Sequence, residues 1–75
     1  MAKAKRQLVI CVDNFGYEVS LERRKIYEAI LDAAATKRNL MRIVDESGED
    51  YLYPASMFVA TELPASVRRA VIQAA

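Results

Sequence analysis

The sequence predicts one small, mainly β domain that ends in a short helix, and three observations support that prediction. The chain has 75 residues, which is enough for a single domain. Short apolar runs rich in β-branched and aromatic residues recur along it, separated by turn-forming residues, as is typical of β-strands. The last segment begins at Pro64 and carries the apolar spacing of an amphipathic helix instead.

The first predicted strand is the apolar run QLVICV at residues 7–12. A run of this length, rich in β-branched residues, is typical of a buried strand. The preceding residues 1–6 are basic, and we expect them to form a flexible tail. Residues 13–16, DNFG, give a turn signal, so a long loop or an irregular hairpin tip is expected over residues 13–22.

The segment 21–35 fits two patterns. Its composition favours a helix, and its apolar residues roughly mark one helical face. Residues 24–31 also alternate, with Ile26 and Tyr27 on opposite sides, and their β-branched and aromatic side chains favour a strand. Spacing and propensity alone leave both alternatives open.

Residues 40–53 form the clearest predicted hairpin, because LMRIV and EDYLY flank the tight turn DESG. Pro54 cannot donate a backbone hydrogen bond, so it should end the second of these strands. A tight turn at 54–57 then leads to a last strand at 58–63, where apolar and polar residues alternate. Residues 64–74 are predicted to form the C-terminal helix.

The order of these elements resembles that of a Src-homology-3-like barrel. Residues 18–30, EVSLERRKIYEAI, resemble the part of that family where a long loop enters the second strand. Residues 51–59, YLYPASMFV, resemble its penultimate strand, Pro-led turn and last strand. The resemblance implies a small five-stranded barrel. On that ground we interpret residues 24–31 as a strand and residues 32–38 as a short helical turn.

Departures from that family bear on function. Arg24 stands where the family usually has glycine. The chain has no Trp, the residue with which peptide-binding members hold proline-rich ligands, so the resemblance implies a barrel without polyproline binding. The stretches ERRKIY and IVDESGEDYLYPASMFV, with the motif DESGEDYLYP, also resemble small uncharacterised bacterial and phage-type proteins. That second resemblance implies a cytosolic prokaryotic protein and no particular activity.

Composition limits the compartment and the partners. The chain carries 11 Lys and Arg against 10 Asp and Glu, and this near balance disfavours a nucleic-acid binder without excluding a local basic patch. Cys11 is the only cysteine, and a small domain without disulfides is typical of the reducing cytosol. The apolar run at residues 8–12 is too short for a signal-peptide core or a membrane span. We predict a cytoplasmic protein.

No catalytic or metal-binding machinery is predicted. The chain has no histidine, which is the commonest general base and a frequent metal ligand. Cys11 lies in an apolar strand and is expected to be a core residue. The carboxylates within residues 45–50 do not match a calcium-binding loop and are typical of a solvated hairpin turn. We predict a non-enzymatic protein without a metal or cofactor.

The preferred functional hypothesis is a binding module that contacts another protein through aromatic side chains. Tyr51 and Tyr53 are two residues apart, so they share one face of their strand. If that face is exposed, Phe15 and Tyr17 from the long loop can join them as a contact surface. If it is buried, the same rings are core residues, and both interpretations stay open.

Two alternatives remain. The first is nucleic-acid binding through a basic cluster, which consists of Arg23, Arg24 and Lys25. The second is self-association into a homodimer, in which the C-terminal helix docks on a second copy through the apolar side chains of Leu63, Val67 and Val71.

Overall fold

The computed structural model describes residues 6–74. In this range the chain forms a mainly β domain with one antiparallel sheet and a short C-terminal helix, as predicted. In chain order its elements are β1 (Arg6–Cys11), β2 (Ile26–Ile30), α1 (Ala33–Lys37), β3 (Leu40–Val44), β4 (Asp50–Pro54), a 3₁₀ turn (Ala55–Met57), β5 (Phe58–Ala60) and α2 (Ala65–Ala74).

The five strands lie in the order β4-β3-β2-β1-β5, and every neighbouring pair is antiparallel. Within the described range β4 and β5 are the outer strands and share no hydrogen-bonded ladder, so the sheet is open and barrel closure stays a prediction. Strand β5 ends at Ala60, earlier than expected. Arg6 belongs to β1, and the rest of the predicted basic tail, residues 1–5, lies outside the described range.

Strand β2 resolves the ambiguous segment in favour of a strand. Tyr27 faces Val9 of β1, and Ala29 faces Ile43 of β3, so β2 is a central strand paired on both sides. Tyr27 and Ala29 are buried, as expected where a strand packs on both neighbours. The helical turn predicted for residues 32–38 is also confirmed, because α1 occupies most of that range.

Helix α1 begins at an N-cap that also binds β3. The carboxylate of Asp32 accepts a hydrogen bond from the backbone N–H of Ala35 at 3.1 Å, which satisfies one of the free donors of the first turn. Its second oxygen accepts from Nε of Arg42 at 3.0 Å. The cap therefore connects the helix to the neighbouring strand.

The core lies on one face of the sheet and includes a residue from the long loop. Its fully buried members are Val9, Cys11, Ile43 and, from the loop, Leu21. The rings of Tyr53 on β4 and Phe58 on β5 have centroids 6.3 Å apart. Side chains of the two outer strands therefore meet across the core, which means that the sheet is strongly curled. Burial raises the pKa of the Cys11 thiol, in keeping with its predicted place in the core.

Helix α2 lies near the opposite face of the sheet. A cleft of about 520 Å³ separates it from β2 and β3, with Leu8, Ile26 and Val71 among the lining residues. None of the α2 side chains is buried. Among the helices of the described range, none has the length and apolar content that a membrane span requires.

Candidate functional site

A shallow groove of about 400 Å³ lies between the β1–β2 loop and the β3–β4 hairpin. We call it the tyrosine groove, and its lining residues are Tyr17, Ser20, Asp45, Ser47, Tyr51, Leu52 and Tyr53. It brings together three of the four aromatic residues predicted as a contact surface. The fourth, Phe15, does not line the groove and is 81% exposed in the loop.

Tyr51 and Tyr53 share a face of β4, as predicted, but they differ in burial. Tyr51 lies opposite Ile43 of β3, and Tyr53 lies opposite Met41. Tyr51 is 50% exposed, whereas Tyr53 is only 4% exposed. Tyr53 is therefore a core residue that forms the floor of the groove, and Tyr51 forms a wall. The ring of Tyr17 packs edge-on against Tyr53, with centroids 5.0 Å apart.

Asp45 is a buried carboxylate at the floor of the groove. It accepts hydrogen bonds from the hydroxyl of Tyr53 at 2.6 Å and from the backbone N–H of Ser47 at 2.9 Å. Burial by itself raises the pKa of Asp45, but the hydrogen bonds from Ser47 and Tyr53 outweigh it and hold the pKa below its usual value. Asp45 is therefore negatively charged at neutral pH.

A second carboxylate adds to this negative charge. The hydroxyl of Tyr51 donates to Glu49 at 3.2 Å. The charge of Glu49 and this hydrogen bond raise the pKa of Tyr51, and Asp45 and Asp50 act in the same direction. Within the described range no Lys or Arg forms a salt bridge with Asp45 or Glu49. No Lys or Arg lines the groove either, so the charged side chain in its lining is negative.

A separate polar network connects the loop to the hairpin turn. The carboxylate of Glu46 pairs with Lys25 and accepts a hydrogen bond from the hydroxyl of Tyr27 at 2.6 Å. These two hydrogen bonds hold the pKa of Glu46 below its usual value. The backbone N–H of Glu46 also donates to the carbonyl of Ser20 at 3.2 Å. Lys25 and Tyr27 are far from Glu46 in sequence, and only the sheet register brings them together.

The acidic stretch at residues 45–50 does not converge on one point. Asp45 and Glu46 engage the partners described above, and Asp50 pairs with Arg42 at 2.9 Å on the other face of the sheet. Over residues 6–74, no group of three or more potential ligands is placed to hold a metal ion.

The basic cluster proposed for nucleic acid is divided. All three residues are exposed, but Lys25 is paired with Glu46. The backbone of Arg24 has φ = 69°, in the left-handed region that glycine adopts most easily. Its N–H donates to the carbonyl of Cys11 at 2.7 Å, so the loop closes back on β1 at this point. Arg24 thus adopts the conformation that a glycine takes without strain.

The helix face proposed for self-association is only partly open. Val67 is 45% exposed, whereas Leu63 and Val71 are half-buried. A hydrogen bond from the guanidinium of Arg68 to the backbone carbonyl of Arg6 connects α2 to β1.

The fold defines the class of this protein as a small, mainly β domain with a curled antiparallel sheet and a tyrosine-lined groove. Comparisons with protein-family models, curated proteins and solved structures find no match to the chain.

Sequence reasoning missed Asp45 and Ser47 as groove residues. A signal for Asp45 exists, because it follows Ile43 by two positions and strand alternation places both on the core face. The acidic composition of the turn favoured a solvated carboxylate instead. No comparable pattern indicates Ser47, which enters the groove through the turn that Asp45 stabilises.

Proposed function

We propose that this chain is a Src-homology-3-like module that binds a positively charged, extended segment of another protein in the tyrosine groove. The strand order and the 3₁₀ turn that follows Pro54 support the assignment to that class. The contact of Tyr53 with Phe58 supports it as well, because it brings the outer strands towards closure. The observation that carries the binding role is the pair of carboxylates without a cationic partner, Asp45 and Glu49, beside the ring of Tyr51.

The chemistry of the groove favours a cationic ligand. A Lys or Arg side chain can pair with Glu49 and lie over the exposed ring of Tyr51, where charge attraction and a cation–π contact act together. Tyr side chains give rigid contact area at low entropic cost. A proline-rich segment without basic residues would leave both carboxylates without a cationic partner.

A binding role suits the groove better than a catalytic one. Burial and the hydrogen bond to Asp45 raise the pKa of Tyr53, and the pKa of Tyr51 is raised by Glu49. Asp45 is shifted in the other direction and stays ionised. None of these groups has a pKa moved towards neutrality, where acid–base catalysis is efficient.

Selection of short random peptides on the folded chain tests this function. We expect the selected peptides to be enriched in Lys and Arg. Glu49→Gln and Tyr51→Ala should each weaken their binding by about tenfold, as expected for loss of a charged or aromatic anchor. Glu62→Gln and Leu31→Ala are matched controls away from the groove and should bind normally. Selected peptides without basic enrichment, or equal binding by all four variants, would contradict the proposal.

A nucleic-acid role has less support. Lys25 is exposed but paired with Glu46, so the two adjacent arginines, Arg23 and Arg24, are the members of the cluster that form no salt bridge among the described residues. Phosphate contacts strengthen steeply as salt is lowered. Salt-dependent retardation of DNA or RNA that is lost in an Arg23→Ala/Arg24→Ala double variant would favour this alternative over protein binding.

A further inference from the structure

Strand β4 is an outer strand of the sheet, and its hydrogen-bond pattern is defined at both ends. The N–H of Asp45 donates to the carbonyl of Glu49 at 3.1 Å, and the N–H of Ala55 donates to the carbonyl of Asn39 at 3.0 Å. Antiparallel partners alternate between hydrogen-bonded and non-hydrogen-bonded pairs. In the register of β3 and β4, Tyr51 and Tyr53 therefore bond to β3.

The same alternation directs the backbone groups of Asp50 and Leu52 away from β3. Within residues 6–74, no backbone hydrogen bond outside the strand ladders reaches either residue. Leu52, at the centre of this edge, is 38% exposed. The outward groups of the edge are two N–H donors and two carbonyls, together with the carbonyl of Pro54. An open edge of this kind is a template for pairing with another extended chain.

The edge and the tyrosine groove are adjacent. Leu52 lines the groove, as do its neighbours Tyr51 and Tyr53. Tyr51 lies opposite Ile43, and Tyr53 and Asp45 each follow one of these two residues by two positions. Asp45, Tyr51 and Tyr53 therefore face the same side of the sheet. A chain that lies along β4 would present every second side chain to that side, where the two carboxylates Asp45 and Glu49 are located.

We propose that the bound segment adds to the sheet as a sixth strand on the edge of β4. This inference rests on the proposed function and specifies how the partner binds. The main chain of the partner pairs with Leu52 and Asp50, which gives affinity. Every second side chain of the partner faces the groove, and a basic residue at the level of Glu49 is attracted by Glu49 and by Asp45 opposite it, which gives specificity. Pro54 lacks an N–H, so pairing is weaker beyond that end.

Charge distinguishes this occupant from a second copy of the chain. Residues 49–54, EDYLYP, contain two carboxylates and no cation. Asp50 is paired with Arg42 on the other face, but Glu49 forms no salt bridge among the described residues. A second β4 strand would therefore bring the charge of a second Glu49 to a site that is already negative, and opposed like charges destabilise strand pairing. A basic segment of another protein neutralises the site instead.

Leu52→Pro tests strand addition directly. It removes the outward N–H and places the proline ring at the edge, while the ladder to β3 uses Tyr51 and Tyr53 and stays intact. Leu52→Val keeps the N–H and is the matched control. With a peptide selected on the wild-type chain, Leu52→Pro should weaken binding by at least about tenfold, and Leu52→Val by less than about threefold.

Hydrogen exchange on the wild-type chain gives a second readout that does not depend on the folding of a variant. Saturation with the selected peptide should slow amide exchange of Asp50 and Leu52 by about tenfold or more, because both N–H groups become paired. Tyr51 and Tyr53 are already in the ladder and should change little.

The outcomes separate the two proposals. Normal peptide binding by Leu52→Pro, or unchanged exchange at Asp50 and Leu52, overturns strand addition and leaves the groove function standing. Failure to select any basic peptide overturns both. Sedimentation of the wild-type chain as a dimer that Leu52→Pro converts to a monomer assigns the edge to a second copy, and this also overturns the proposal.

Discussion

The loop at residues 12–25, which joins β1 to β2, is irregular but packs into the core, whereas helix α2 is regular but does not. The loop has little regular structure, yet Leu21 is fully buried in the core and the ring of Tyr17 packs on the hairpin. Helix α2 has 10 residues of regular structure and no buried side chain. The loop is therefore attached to the core by buried side chains, whereas the helix is regular but buries none of its side chains.

The hydrogen bonds of the loop explain the difference. The side-chain amide of Asn14 donates to the carbonyl of Leu21 at 2.9 Å and holds the buried residue in place. The backbone of Glu22 donates to the hydroxyl of Tyr27 at 2.7 Å, so the end of the loop is attached to a central strand. Local stability depends on such buried and bridging contacts more than on secondary structure. The loop can therefore serve as a rigid wall of the tyrosine groove.

The largest expected effect is that of Leu21→Ala. Removal of a fully buried leucine side chain from a core costs about 3 kcal/mol of unfolding free energy, by lost transfer energy and the cavity left behind. Val71→Ala in α2 is the control, and its small loss of burial should be partly offset by the better helix propensity of alanine. Urea denaturation of both variants measures the difference. Equal losses of unfolding free energy in the two variants would contradict the claim that the loop contributes more to the core than the helix does.

This contrast also shows what sequence reasoning could reach. Ile26 and Tyr27 alternate in a way that fits a strand, but the segment also has good helix propensity. It forms a strand because β1 and β3 pair with it on both sides. That pairing is tertiary and is not visible in local spacing. The resemblance to a known order of elements supplied the deciding information. It could not supply barrel closure, which depends on whether β4 and β5 meet through their backbones.

The sequence predicted which tyrosines of the groove share a face but not which of them is buried. Alternation correctly placed Tyr51 and Tyr53 on one face, but it does not show which position is covered. Tyr53 lies under Tyr17 and next to Phe58, whereas Tyr51 lies closer to the hairpin turn and remains half exposed. Cover from a loop distant in sequence decides burial, and a single sequence carries no local signal for it. Phe15, in that same loop, is exposed as the contact hypothesis requires, but it does not line the groove.

The second largest expected effect concerns the hairpin on which the loop packs. Tyr53→Phe keeps the ring under Tyr17 but removes the hydroxyl that donates to Asp45. Loss of a hydrogen bond to a buried charge costs about 2 kcal/mol at neutral pH. Tyr51→Phe, which alters an exposed hydroxyl, is the control and should cost less than about 0.5 kcal/mol. Thermal or urea unfolding measures both.

The pH dependence of that effect has a definite sign. The pKa of Asp45 is lower in the folded chain than the ordinary value of 3.8. Its contribution to stability is therefore fully present above 3.8 and is lost as the pH falls through the lower, folded value. The difference in unfolding free energy between wild type and Tyr53→Phe should shrink over that acidic range. A difference that stays constant down to acid denaturation would contradict the role assigned to Asp45. Helix α2 contains no carboxylate side chain, so acid should weaken the hairpin before it affects the helix.

Arg24→Gly should produce a smaller effect of the opposite sign. The left-handed backbone at Arg24 costs a residue with a side chain about 1 kcal/mol or more, and glycine avoids that cost while losing more entropy on folding. We expect a net gain of about 0.5 kcal/mol in urea denaturation. Arg24→Ala keeps the strain and should give no gain. Arg23→Gly, at a neighbour without positive φ, should destabilise slightly. A gain in Arg24→Ala would assign the effect to charge instead of backbone conformation.

The smallest effect is expected for Val67→Lys on the exposed side of α2. Val67 is nearly half exposed, and lysine has a better helix propensity than valine, so unfolding free energy should change by less than about 0.5 kcal/mol. Val9→Ala, at a fully buried valine of β1, should lose several times more unfolding free energy.

If Val67→Lys is strongly destabilising, the dependence of that loss on protein concentration identifies its cause. A loss that grows with concentration means that a second copy covers Val67 in the wild-type chain, because association stabilises the native state by mass action. A loss independent of concentration means that α2 packs on its own sheet more tightly than its lack of buried side chains implies.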